Sequence, residues 1–99
     1  MATLYIAEYA NLAETVRGAP PVAQAPAIAH QTVAITAGTL QSAAFDASTR
    51  FIRVHTDAIC SIKIDSNPTA TTSTARLAAD QTEYFGVTAG HKVAVIANT

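Results

Sequence analysis

Apolar and polar positions alternate with a period of two in several short stretches of this chain, the pattern of strands with one buried face. Leu4 and Ile6 alternate with Tyr5 and Ala7 in residues 3–9, and Val33 and Ile35 share a face in residues 31–36. Residues 40–45 are compatible with a further strand. The clearest pattern is Arg50-Phe51-Ile52-Arg53-Val54-His55-Thr56, with Ile52 and Val54 on one face and Phe51, Arg53 and His55 on the other. After the tight link Asp57-Ala58, residues 59–65 place Cys60, Ile62 and Ile64 inward and Ser61, Lys63 and Asp65 outward. These two stretches match as a hairpin, which would let Arg53 and Asp65 pair across its solvent face. Residues 66–76, rich in hydroxyls and containing Pro68, read as an exposed loop, and residues 77–79 as a short extended piece. Residues 83–87 predict a strand with an aromatic face. Ala89-Gly90 predicts a turn, and residues 91–97 a closing strand with Val93 and Val95 inward. Ile96 makes the outer face of that strand apolar as well, so it is expected to be covered on both sides.

The reading is therefore all-β: a small β-sandwich or barrel of six to seven short antiparallel strands, with an extended N-terminal arm. The arm spans residues 1–30 and includes the first short strand; the sandwich or barrel spans residues 31–99. Between Arg17 and Asp46 there is no acidic or basic side chain, and His30 is the one titratable group. Pro20, Pro21 and Pro26 bias the first half of that segment to extended geometry, although residues 11–17 have weak helical character. A weakly polar, proline-stiffened segment is unlike a charged disordered tail, and it is expected to lie against another surface.

Composition narrows the function. Charged residues make up 13% of the 99-residue chain, about half the usual share, and a surface so poor in charge favours association. Arg17, Arg50, Arg53, Lys63, Arg76 and Lys92 are scattered and the net charge is −1, so no basic patch for nucleic acid is expected. No apolar run reaches the length of a membrane helix, and Met1–Ile6 lacks the basic start of a signal peptide. Cys60 is the one cysteine, and its inward parity makes it a core thiol. His30, His55 and His91 lack zinc-ligand spacing. The carboxylates form no close pair in sequence, and neither a glycine-rich phosphate loop nor a nucleophile elbow occurs. No catalytic residue, cofactor or metal site is expected.

Phe51-Ile52-Arg53-Val54, Thr56-Asp57-Ala58, Cys60-Ser61-Ile62, Asn67-Pro68-Thr69-Ala70, Arg76-Leu77, Glu83-Tyr84-Phe85-Gly86-Val87 and Gly90-His91-Lys92-Val93-Ala94-Val95-Ile96 resemble small all-β structural proteins of tailed bacteriophages. The resemblance covers residues 45–97. It implies a virion component made in the host bacterial cytoplasm and placed on the capsid exterior: a decoration or cement protein that binds the assembled head lattice. The implied partners are the major capsid protein and copies of the chain itself, as dimer or trimer, with no nucleic acid and no membrane. The expected capsid or subunit interface lies in the arm, at Leu4, Tyr5, Ile6, Tyr9, Pro20, Pro21, Val22, Pro26 and Ile28. On this reading, removing residues 1–30 would leave the body folded. The alternatives are a head–tail joining, tail or head-fibre subunit, and a small carbohydrate-binding module with Tyr5, Tyr84 and Phe85 as its platform.

Overall fold

The alternating stretches do become strands. The computed structural model describes residues 2–13 and 22–98, and these form β1 (Thr3–Tyr9), β2 (Ala29–Ala34), β3 (Leu40–Gln41), β4 (Phe51–Thr56), β5 (Cys60–Asp65), β6 (Ala75–Leu77), β7 (Thr82–Gly86) and β8 (Lys92–Ala97). No described residue is helical. The strands pair antiparallel in two four-stranded sheets, ordered β2-β1-β4-β7 and β3-β8-β5-β6.

The inward positions of both sheets share one core. Leu4, Ile6, Val33, Ile35, Ile52 and Val54 come from the first sheet and its margin; Cys60, Ile62, Leu77, Val93 and Val95 come from the second; Phe45 joins them from the connection before β4. Two inner faces meeting in this way make a β-sandwich. Each fully buried Leu, Ile or Val contributes about 1.5–3 kcal/mol.

Three expectations are corrected. The first is the hairpin of residues 50–65. β4 pairs with β1 and β7, whereas β5 pairs with β6 and β8. Arg53 and Asp65 therefore stand in different sheets. Asp57-Ala58 is an arch between the sheets: Asp57 Oδ1 accepts from Thr3 N–H (2.7 Å), and Thr56 Oγ1 donates to the Ala58 carbonyl (2.6 Å). The link lacks the glycine that tight two-residue hairpins favour.

The second is the arm. β1 lies inside the first sheet, between β2 and β4, so the expected boundary at residue 30 cuts through β2. The hairpin of β1 and β2 also extends past its strands. Ile28 N–H donates to the Glu8 carbonyl (2.8 Å), Gln24 N–H to that of Asn11 (3.0 Å) and Ala13 N–H to that of Val22 (2.7 Å). The proline-containing stretch, as far as it is described, is the returning limb of that hairpin. Pro26 falls between the donors Gln24 and Ile28, where its missing N–H removes none of these bonds. Pro20 and Pro21 lie outside the described residues, as does most of the 11–17 segment.

The third is the loop of residues 66–74. Its hydroxyls are largely exposed, but Pro68 and Ala70 are buried. The loop folds back across the outer face of the second sheet. Gln41 Nε2 donates to the Pro68 carbonyl (2.7 Å), Ala70 N–H donates to Thr39 Oγ1 (3.0 Å), and Asn98 Nδ2 bridges Ser61 Oγ (2.7 Å) and the Thr72 carbonyl (3.2 Å). Ser61, an outward position by alternation, is thereby buried, and so is Ala94. Leu40, expected in a longer strand, lies in a two-residue one and is exposed.

Turn chemistry is local and conforms to expectation. Gly90 takes φ 82° in the Thr88–His91 turn, where a Cβ would be strained. Asp80 takes φ 60° before β7, a conformation that Asp tolerates better than most residues.

A chain of residues 31–99 alone lacks β1 and with it Leu4, Ile6 and both pairings of the strand. We expect such a chain to show no cooperative urea unfolding transition by circular dichroism. A sharp transition in that fragment would contradict the central placement of β1.

Candidate functional site

Because Leu4, Ile6 and Glu8 face the core, Thr3, Tyr5, Ala7 and Tyr9 of β1 face outward. Register then fixes their neighbours. One row across the first sheet reads His30, Ala7, Arg53, Tyr84; the next reads Thr32, Tyr5, His55, Thr82; a third places Tyr9 beside Phe51 and Gly86. All three tyrosines of the chain thus stand on one outward face, together with Phe51. Tyr5 and Tyr84 are about half exposed, at 46% and 57%, a large aromatic presentation for a chain of low charge.

Parts of this face are pre-ordered. Tyr9 and Phe51 are stacked, with ring centroids 5.3 Å apart and planes 16° from parallel, worth about 0.5–1.5 kcal/mol beyond area burial. His55 Nδ1 is hydrogen-bonded to Thr82 Oγ1 (2.7 Å). Ala7 is the small residue in the middle of the face. The larger side chains around it rise past its methyl group and enclose a depression of about 520 Å³ bordered by Tyr5, Tyr9, His30, Arg53, His55 and Tyr84. Beside it lies a hollow of about 410 Å³, lined by Leu12, Val22, Ala23, Phe51 and Tyr84. Tyr84 is the wall the two share.

One rim of the face is held by a buried carboxylate. Glu8, 1% exposed, accepts three hydrogen bonds: Oε1 from Asp46 N–H and from Thr49 Oγ1, and Oε2 from Gln31 Nε2, each at 2.8 Å. Gln31 in turn accepts from Ala43 N–H (2.9 Å). The network ties β1, β2 and the 43–49 connection together next to His30. Its donors are neutral, so the carboxylate is stabilised by hydrogen bonds. Among the described residues no buried side-chain nitrogen or oxygen lacks a partner.

Of the residues expected to form an interface, Tyr5 and Tyr9 lie on the outward face, Val22 lines the apolar hollow, and Pro26 and Ile28 are exposed along the hairpin. Leu4 and Ile6 are corrected: at 0% and 1% exposure they belong to the core, because their parity is opposite to that of Tyr5. Phe85 is corrected as a platform residue, since it packs against the core on the face opposite Tyr84. Sequence reasoning missed Ala7, His30, Arg53, His55 and Phe51 as parts of one site, and missed Glu8 as a hub. Their outward parity is visible in each stretch; the strand order that sets them side by side is not. Cys60 is buried, and burial pushes its thiol up from the ordinary range, the largest of several causes. Among the described residues no group of three or more His, Cys, Asp and Glu is placed to hold a metal.

No family model, curated protein or solved structure matches this chain.

Glu8→Ala strands three donors and is expected to cost about 3 kcal/mol. Glu8→Gln keeps an acceptor oxygen but sets an amide against Gln31 Nε2, and should cost about 1–2 kcal/mol. Urea denaturation checks both, and equal stability of Glu8→Ala and wild type would overturn the hub. A raised thiol pKa and burial together predict that Cys60 reacts with a thiol-exchange reagent at mildly alkaline pH only after denaturation; rapid labelling of the native chain would contradict its placement.

Proposed function

We propose that this chain is a non-enzymatic docking subunit of a tailed-bacteriophage virion, a capsid decoration or cement protein that attaches to the assembled head through the outward face of its first sheet. The observation that carries the reading is the contrast between the two outer faces. The second sheet is partly covered by the chain's own 66–74 loop, over Ser61 and Ala94, and further outward positions carry the exposed charges Lys63, Asp65 and Arg76. Over the first no described residue folds: Tyr5 and Tyr84 stand about half exposed and the Tyr9–Phe51 stack partly so, beside the apolar hollow of Leu12 and Val22. Aromatic side chains clustered on an uncovered face supply interface anchors, because each buries large area with few rotatable bonds. Repetition on a lattice multiplies modest contacts through avidity, so a small body suffices. The resemblance of residues 45–97 to virion proteins suggests the kind of partner, and the aromatic residues of the sheet face, bordered by the hairpin, are the anchors on this reading.

The β-rich, charge-poor body serves a head–tail joining or fibre subunit equally well, and copy number separates the two. The purified chain, added to heads that lack it, is expected to co-sediment in many copies per head. The double variant Tyr5→Ser/Tyr84→Ala should bind at least about tenfold more weakly, with its urea transition still cooperative and only modestly lowered, because both side chains are about half exposed. Undiminished binding by the variant would overturn the docking face, and binding of only a few copies at one vertex would favour the joining role.

A further inference from the structure

The outward face is selective in charge as well as apolar. Its positions on the four strands are Thr3, Tyr5, Ala7 and Tyr9; His30, Thr32 and Ala34; Phe51, Arg53 and His55; and Thr82, Tyr84 and Gly86. None of them carries a carboxylate, although the chain has more acidic than basic residues. The acidic residues of these strands, Glu8 and Glu83, and Asp57 directly after β4 point elsewhere. Glu8 faces the core, Glu83 accepts from Gln81 Nε2 on the inward side, and Asp57 binds Thr3 N–H at the sheet end. Among these described positions the one permanent cation, Arg53, sits next to Ala7 in the central row, and His30 flanks Ala7 on the other side. Two strand spacings put these two residues about 10 Å apart across the alanine, room for one carboxylate and its stem.

We infer that the depression over Ala7 receives a glutamate or aspartate side chain of the docking partner, held by the Arg53 guanidinium, and that the next apolar residue of the same partner segment enters the hollow of Leu12, Val22 and Phe51. Three features converge on this occupant. Among the described residues no carboxylate stands on this face to pair with Arg53, so its guanidinium is available to an anion across an interface. The alanine floor lets an acidic side chain reach that guanidinium through a partly desolvated, aromatic-walled space, where a charge-assisted hydrogen bond is stronger than in water. The two hollows share the Tyr84 ring, so one short segment can fill both. Nucleic acid is disfavoured by a single arginine on the face, since phosphate-backbone binding needs many cations.

The inference rests on the docking reading and is tested separately from it. The full-length chain, isotope-labelled, is titrated with the blocked dipeptides acetyl-Glu-Leu-amide and acetyl-Gln-Leu-amide and with glucuronic acid, following backbone amide shifts. Saturable shifts centred on Ala7, His30 and Arg53 are expected, with the Glu dipeptide binding about fivefold or more tighter than the Gln dipeptide. Arg53→Gln should abolish that preference. Ala7→Leu, which fills the depression from the outer face, should remove binding of both peptides while the remaining spectrum stays native. No saturable shift, equal response to both dipeptides, or a preference that survives in Arg53→Gln would overturn the carboxylate pocket. Tighter binding of glucuronic acid than of the Glu dipeptide would replace it with an acidic-sugar site. If the dipeptides show no preference while Tyr5→Ser/Tyr84→Ala still loses the heads, only the present inference fails and the docking face stands.

Discussion

One strand between two neighbours organises this protein. β1 is hydrogen-bonded on both edges, to β2 and to β4, so its side chains cannot rotate away from strict alternation. Leu4 and Ile6 are thereby committed to the core and Tyr5, Ala7 and Tyr9 to the outside. A one-residue slip would turn four outward residues inward, two of them tyrosines, and expose two of the most completely buried aliphatic side chains. Glu8 closes the inward row, and its three hydrogen bonds hold the connection that leads into β4. Core packing and the composition of the outer face are two consequences of the same register.

The two outer faces meet different fates. On the second sheet, small and hydroxyl-bearing outward residues, Ser61 and Ala94, leave room for the 66–74 segment to lie close, and Asn98 and Gln41 fasten it with side-chain to main-chain bonds. On the first, the outward residues are bulky. Tyr5, Tyr9, Arg53 and Tyr84 stand around a single alanine, and the described part of the chain folds no loop over them. The hairpin formed by residues 9–13 and 22–28 borders this face and adds Leu12 and Val22 to it. Of the proline-bearing stretch, the described residues 22–28 form a margin to this face, paired to their own chain.

Alternation alone decided a good deal. Residues 3–9, 50–56, 59–65 and 91–97 each announce a strand and the identity of its buried side chains, because desolvating Ile, Val and Leu is the largest local term and period two is the way a strand can achieve it. The glycine at position 90 likewise declares its turn. All-β character follows directly from these stretches.

Strand order and pairing were decided only by the tertiary structure. β4 and β5 have the same alternation whether they lie side by side as a hairpin or face each other across a core, so pattern cannot choose between the two; the sandwich chose the second, since it buries Ile52 and Val54 against Cys60 and Ile62 from the opposite sheet. Burial of Ser61 depends on the 66–74 loop, which Asn98 from the far end of the chain fastens beside it, and the gathering of His30, Ala7, Arg53 and Tyr84 depends on three non-local pairings. Local sequence specifies which side of a strand is apolar, because that is settled within a few residues. Which strands become neighbours is a property of how whole faces are shared out between two sheets, and that exists only once the chain has folded.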